Sequence, residues 1–256
     1  MKRVANAGAE SARGAAGAAR RESPLEYQAF EDALRAGGCA VCRVVEAQEE
    51  RALYSFLYEG MTNPEVREEF LRGGGFCAIH LREAASLGIN RWSVGVVELG
   101  ILAEQTLRRA SAELKDGAKR RGSKAWRRLA IGKRRAERPL YPGRDCTFCR
   151  ERESREAMAV ESLEALAADA EIAAGIERSE LCLRHGQMAL EKWKGTERRA
   201  WLAELLERHA ARLREELREF LRKYDHRFRK ESFGAEADVV PRAVEFLSGA
   251  ERRKRR

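Results

Sequence analysis

Apolar positions recur every three or four residues along most of this chain, and glycine or proline breaks divide it into runs of helical length. Tyr27, Phe30 and Leu34 place an amphipathic helix over Pro24 to Arg35, which Gly37-Gly38 ends. A second helix follows Cys42 and runs to about Glu59. Asn63-Pro64 is a helix start, with asparagine as N-cap and proline at the first helical position, leading through Val66, Phe70 and Leu71 to a break at Gly73-Gly74-Gly75. Leu81, Ala84, Ala85 and Leu87 continue a helix begun near Cys77. Asn90 is placed to cap the next, in which Trp92, Val96, Leu99, Leu102 and Leu107 form a stripe expected to be buried.

After the break Pro139-Leu-Tyr-Pro-Gly143, a similar series begins again. It comprises a helix after Cys149, a short segment near Asp169 to Ile176, a helix from Cys182, and a long helix from an N-cap at Thr196. In that last helix Leu206, Ala210, Leu213, Leu217, Phe220 and Tyr224 step by four and three, a narrow seam of the coiled-coil type. The helix over 196–224 could pack on a small lobe or support self-association. Pro241 begins a final short helix, Arg242 to Leu247. No stretch reads as a strand, so the expected class is all-α.

Composition agrees. Of 256 residues, 44% are hydrophobic and 7% aromatic, and the Ala, Leu, Glu and Arg that dominate favour helix. No apolar run nears the roughly 18 residues that cross a bilayer, so no membrane partner is expected. The N-terminus lacks the hydrophobic core of a secretory signal, and the expected location is the cytoplasm, where CxxC pairs serve metal or redox chemistry more often than structural disulfides.

The six cysteines and two of the four histidines fall into one arrangement written twice. Cys39-Ala-Val-Cys42 is followed by Cys77-Ala-Ile-His80, and Cys146-Thr-Phe-Cys149 by Cys182-Leu-Arg-His185. Three sulfurs and one imidazole complete a tetrahedral zinc set, so all eight residues are candidate ligands for two zinc ions per chain. No ligand position is left open, which favours structural metal over catalysis. The repeat suggests two helical lobes, 24–114 and 139–250, each with a Cys₃His site, and a disordered basic tail over 1–23. The spacing leaves open whether each lobe completes its own site or exchanges ligands with the other. An iron-sulfur or redox centre on the same residues is the alternative, and an enzyme with a site between the lobes a third reading.

Charge adds a candidate partner. The net charge is +9, but the linker 115–138 holds eleven Lys or Arg against two acids, and the tails 1–21 and 251–256 are each +4. The rest of the chain is therefore acidic, at −8. Lys119, Arg120, Arg121, Lys124, Arg127, Arg128, Lys133, Arg134 and Arg135, with Trp126 as a stacking face, are candidates to contact nucleic acid or an acidic protein. Tyr224-Asp225-His226 reads as hydrogen bonding at a helix end rather than acid-base chemistry. The chain shows no Walker loop, dinucleotide-binding glycines or nucleophile elbow. The combined reading is a non-enzymatic interaction or regulatory module.

The CxxC pairs, the stretch Asn63-Pro-Glu-Val-Arg67 before Gly75-Phe-Cys-Ala-Ile-His80, and the ending Lys223-Tyr-Asp-His-Arg227 with Pro241-Arg-Ala-Val-Glu245 carry a resemblance. Over about residues 25 to 249 the chain resembles a prokaryotic family known only as a domain of unknown function, with paired CxxC…CxxH motifs. That resemblance implies the paired motifs and no activity. Two features depart from it: the basic linker, and Ala40 where proline often follows the first cysteine.

Overall fold

A computed structural model describes residues 24–87, 95–121, 146–228 and 230–249, which form ten α-helices and three short 3₁₀ turns without a strand among them. The helices are α1 (Pro24–Arg35), α2 (Ala40–Tyr58), α3 (Pro64–Arg72), α4 (Ala78–Ala85), α5 (Val96–Arg121), α6 (Thr147–Leu166), α7 (Ala170–Arg178), α8 (Leu183–Lys192), α9 (Thr196–Tyr224) and α10 (Val239–Ser248). The all-α expectation holds for the described residues. The cap at Asn90, Trp92, the break at 139–143 and the two basic tails lie outside them.

The chain divides into two compact units, but not at the basic linker. The first unit is Met1–Ala47 with Ser154–Arg256, and the second is Gln48–Glu153. The boundaries fall inside α2 and α6, so the two sequential lobes over 24–114 and 139–250 are not the compact units. Each of these two helices begins in one unit and continues into the other, and a repeat read along the chain cannot reveal that.

In the first unit α1 packs on α7, and α8, α9 and α10 pack on one another. Phe30, Val45, Val160, Leu163, Ile176, Trp193 and Leu202 are fully or almost fully buried. Polar ties fix the register of these helices. Asp169 caps α7, its Oδ1 accepting from Glu171 N at 2.7 Å and its Oδ2 from the Tyr27 hydroxyl of α1 at 3.0 Å. Trp193 Nε1 donates to Val160 O at 2.9 Å, so the buried indole leaves no unpaired donor. Gly186 lets α8 approach α9 closely, since a Cβ there would lie 2.7 Å from both methyls of Leu206.

The second unit is built around four phenylalanines. Phe56, Phe70, Phe76 and Phe148 pack mutually, with ring centroids 4.6 to 6.4 Å apart and mostly edge to face, the arrangement ring quadrupoles prefer. Asn63 caps α3 as its sequence implies, accepting from Glu65 N at 2.9 Å. In α5 only part of the expected stripe is inside. Leu99 and Leu102 are buried in the core of this unit, whereas Val96 and Leu107 are exposed.

The seam of α9 also differs from expectation. Leu202, Leu205, Leu206, His209 and Leu213 form its buried face. Ala210 and Tyr224 are exposed, and His209 takes the place assigned to Ala210 because α9 is rotated to bring Leu202 and Leu205 inward. Gly195 rather than Thr196 occupies the N-cap position. Past the helix, Asp225 accepts from the Arg227 backbone and side chain and lies 3.2 Å from His226 Nδ1, the helix-end bonding expected there.

His209 donates through Nε2 to Glu177 O at 3.3 Å, while its buried Nδ1 finds no hydrogen-bond partner among the described residues. Burial, reinforced by the nearby Arg212 charge, holds its pKa below the ordinary value of 6.5. The unfolded chain therefore takes up this proton before the folded one does. Stability contributed by neutral His209 is present above pH 6.5 and is lost as pH falls through 6.5 toward the depressed folded value. A His209→Gln variant should show a shallower loss of stability between pH 7.5 and 5.5 than the parent, measured by urea unfolding at each pH.

Candidate metal centres

All four motifs share one local construction. The first cysteine of each lies immediately before a helix and the fourth residue lies in its first turn: Cys39 and Cys42 on α2, Cys77 and His80 on α4, Cys146 and Cys149 on α6, Cys182 and His185 on α8. Residues three apart face the same way on a helix, so each motif presents two ligand atoms together. The backbone N–H groups and positive end of each helix dipole also favour thiolates at that position. Cys77 shows this directly as the N-cap of α4, its sulfur accepting from His80 N at 3.5 Å.

Helix beginnings meet in pairs, and the pairs are exchanged relative to sequence order. Site 1, in the first unit, gathers Cys39, Cys42, Cys182 and His185, while site 2, in the second, gathers Cys77, His80, Cys146 and Cys149. Each CxxC thus joins the CxxH of the other repeat, the exchange of ligands that the spacing had left open. The physical reason lies in α2 and α6. At 19 and 20 residues they extend about 28 to 30 Å and carry the chain out of the unit holding the CxxC before it turns back.

The four donor atoms of each site lie within 4.8 Å of one another. In site 1, His185 Nδ1 is 3.4, 3.3 and 3.2 Å from the sulfurs of Cys39, Cys42 and Cys182, and the Cys42 and Cys182 sulfurs are 3.9 Å apart. In site 2, His80 Nδ1 is 3.1, 3.5 and 3.4 Å from the sulfurs of Cys77, Cys146 and Cys149, and those of Cys77 and Cys149 are 3.7 Å apart. A tetrahedral ion with bonds of about 2.3 Å to sulfur and 2.0 Å to nitrogen requires roughly 3.8 Å between sulfurs and about 3.5 Å from sulfur to nitrogen. Both sets therefore fit a single metal ion.

Each imidazole turns Nδ1 toward the sulfurs and Nε2 toward a buried glutamate. Glu49 Oε1 lies 2.5 Å from His80 Nε2, and the other Glu49 oxygen pairs with Arg152. Glu156 Oε1 lies 3.8 Å from His185 Nε2, and its Oε2 accepts from Arg184 at 2.6 Å. His185 Nε2 itself has no hydrogen-bond partner among the described residues. A carboxylate behind a ligating histidine fixes the ring and raises its basicity. These glutamates are absent from the CxxC…CxxH reading. The available signal was their common position, seven residues after the second cysteine of each pair, at Cys42 to Glu49 and Cys149 to Glu156.

Electrostatics within the clusters favour charge separation. Burial opposes protonation of His80, but contacts with Cys146, Glu49 and Cys77 outweigh it and hold the pKa at about 10. Bonds from Cys39 and Cys42 bring the Cys182 thiol down to about 3, while burial keeps Cys39 well up. In site 2 burial is outweighed at Cys146, which the His80 contact lowers to about 6, whereas burial and the Cys77 thiol push Cys149 up to about 12. A metal ion bound by three thiolates and a neutral imidazole must displace the remaining protons, so its affinity falls as pH falls.

Gly249, just past α10, was also not foreseen. Its φ of +84° is one that L side chains rarely adopt, and a Cβ there would lie 3.2 Å from Cys42 Sγ and 3.6 Å from Cys182 Sγ. The backbone covers site 1 closely, in a conformation that favours glycine. Site 2 is more open, since Cys149 alone among the eight is partly exposed. Of the basic residues singled out in the linker, Lys119, Arg120 and Arg121 fall in the last turn of α5; Lys124, Trp126, Arg127, Arg128, Lys133, Arg134 and Arg135 lie outside the described residues.

The exchanged pairing has a direct test. Cys39→Ser with Cys182→Ser should remove one metal equivalent per chain, because both serve site 1. Cys39→Ser with Cys77→Ser should remove two. Metal analysis of the purified variants gives the counts, and sequential pairing would reverse them.

No curated protein and no solved structure matches the chain significantly. A family model does, over residues 27–254, a span that includes all eight Cys and His ligand candidates and both buried glutamates. The chain belongs to the family of unknown function DUF6062.

Proposed function

We propose that sites 1 and 2 each hold one structural zinc ion and that the protein is a non-enzymatic helical scaffold, an interaction or regulatory module whose fold these ions maintain. The observation that carries this is the closure of both donor sets. Three sulfurs and one imidazole nitrogen surround a point at single-ion distances, with seven of the eight residues buried and no place for a substrate atom. Borderline-soft zinc suits such donors, and closed four-protein-ligand sites are structural. An iron-sulfur cluster would interpose at least one Fe–S–Fe bridge and hold its ligands farther apart, so the spacing favours one ion over a cluster.

Energetics support a structural role. Zinc in small structural sites contributes about 10 to 16 kcal/mol of apparent binding free energy, while whole domains are stable by about 5 to 15 kcal/mol. The aromatic quartet of the second unit stands directly against site 2, the ring of Phe148 lying 5.7 Å from that of His80. Losing the ion therefore removes the point on which α4 and α6 converge.

Charge favours nucleic acid as the partner class. The linker concentrates a net +9 in 24 residues with an indole at Trp126, and the fold supplies the anchored helix α5 that leads into it.

The purified protein should be colourless and contain two zinc ions per chain; bound iron with visible absorption would overturn the assignment. Complete chelation should abolish most helical circular dichroism, and Cys77→Ser should do so for the second unit alone. Binding to a nucleic-acid oligomer should weaken steeply with salt, without sequence preference. It should fall at least tenfold when the nine candidate Lys and Arg of the linker are neutralised; equal retention by both versions would remove the partner assignment.

A further inference from the structure

We infer that the two metal sites are coupled, each CxxC helix carrying the glutamate that positions the histidine of the other site. This rests on the zinc reading above. Helix α2 starts with Cys39 and Cys42 in site 1, and seven residues after Cys42 it carries Glu49, whose Oε1 lies 2.5 Å from His80 Nε2 in site 2. Helix α6 starts with Cys146 and Cys149 in site 2, and seven residues after Cys149 it carries Glu156, 3.8 Å from His185 Nε2 in site 1. Seven residues are two helical turns, so cysteine and glutamate share one face of each helix.

Fixing the sulfurs of Cys39 and Cys42 on an ion fixes the start and rotation of α2, and with them the place of Glu49. Glu49 is 3% exposed and Glu156 is fully buried. A buried carboxylate is stable only where its partners receive it, so neither can drift from its histidine and arginine without cost. An ion in site 1 therefore preorganises the carboxylate that orients His80 and makes it a better ligand. Glu49 is the engaged arm, since its contact is a hydrogen bond and that of Glu156 is longer. One arm suffices, because linkage requires binding at site 2 to favour site 1 by the same factor. The extended motif is Cys-x₂-Cys-x₆-Glu, with Glu49 and Glu156 as positioning residues and zinc as the ligand they serve.

The test uses full-length protein with ¹⁵N-labelled histidine rings, titrated with zinc against a competing chelator. The His80 and His185 signals then report each site separately. Cys182→Ser, which removes a site 1 ligand lying on neither α2 nor α6, should weaken zinc binding read at His80 by about tenfold. In a Glu49→Gln background, which keeps all ligands of site 2, the same change should shift the His80 curve less than about twofold. If Cys182→Ser unfolds the first unit, Glu156→Gln retains all eight ligands and should lower loading at His185 and, at intermediate zinc, at His80. Identical His80 curves with and without an intact site 1, or a drop that persists in Glu49→Gln, overturn the coupling while leaving two zinc sites standing. A wild-type chain that takes up no zinc overturns both.

Discussion

The convergence of helix beginnings, two at a time, is the constraint on which the rest of the structure depends. A helix start offers positive potential and two side chains facing the same way at positions three apart, and four such starts supply eight donors. Each pair must meet to within tenths of an ångström for its sulfurs and nitrogen to lie at single-ion distances. Gly249 against the sulfurs of site 1 and the phenylalanines beside His80 are the packing that this precision demands. A slightly larger residue at 249, or a gap among the rings, would move a donor.

Because α2 and α6 each run from one unit into the other, the units are not independent lengths of chain. The first holds the two ends of the described sequence and the second holds its middle. Each unit assembles its donor set from residues more than sixty positions apart. Such a site closes a long loop, whose entropy in the unfolded chain grows only slowly with length. An ion held by such a set would tie distant segments in register.

The charges follow the same division of labour. Within the units, basic and acidic groups form ion pairs, as in the Lys223 to Glu236 pair at 2.6 Å and the Arg212 to Glu180 pair. The net positive charge is concentrated in the linker and tails. The scaffold and the proposed contact with nucleic acid therefore fall on different stretches of chain.

By itself the sequence determined the helical class, most element positions, the eight donors and their chemistry. These depend on local rules: apolar spacing, Asn63 as a cap, and two ligands three residues apart at a helix start. Tertiary structure alone decided which CxxC meets which CxxH, because spacing records separation along the chain and not the direction a 19-residue helix carries it. It also decided that Glu49 and Glu156 stand behind the histidines, that Gly249 covers site 1, and that His209 rather than Ala210 lies in the α9 seam. Each of those outcomes depends on the rotation and crossing of helices already formed, which is set by packing between distant segments.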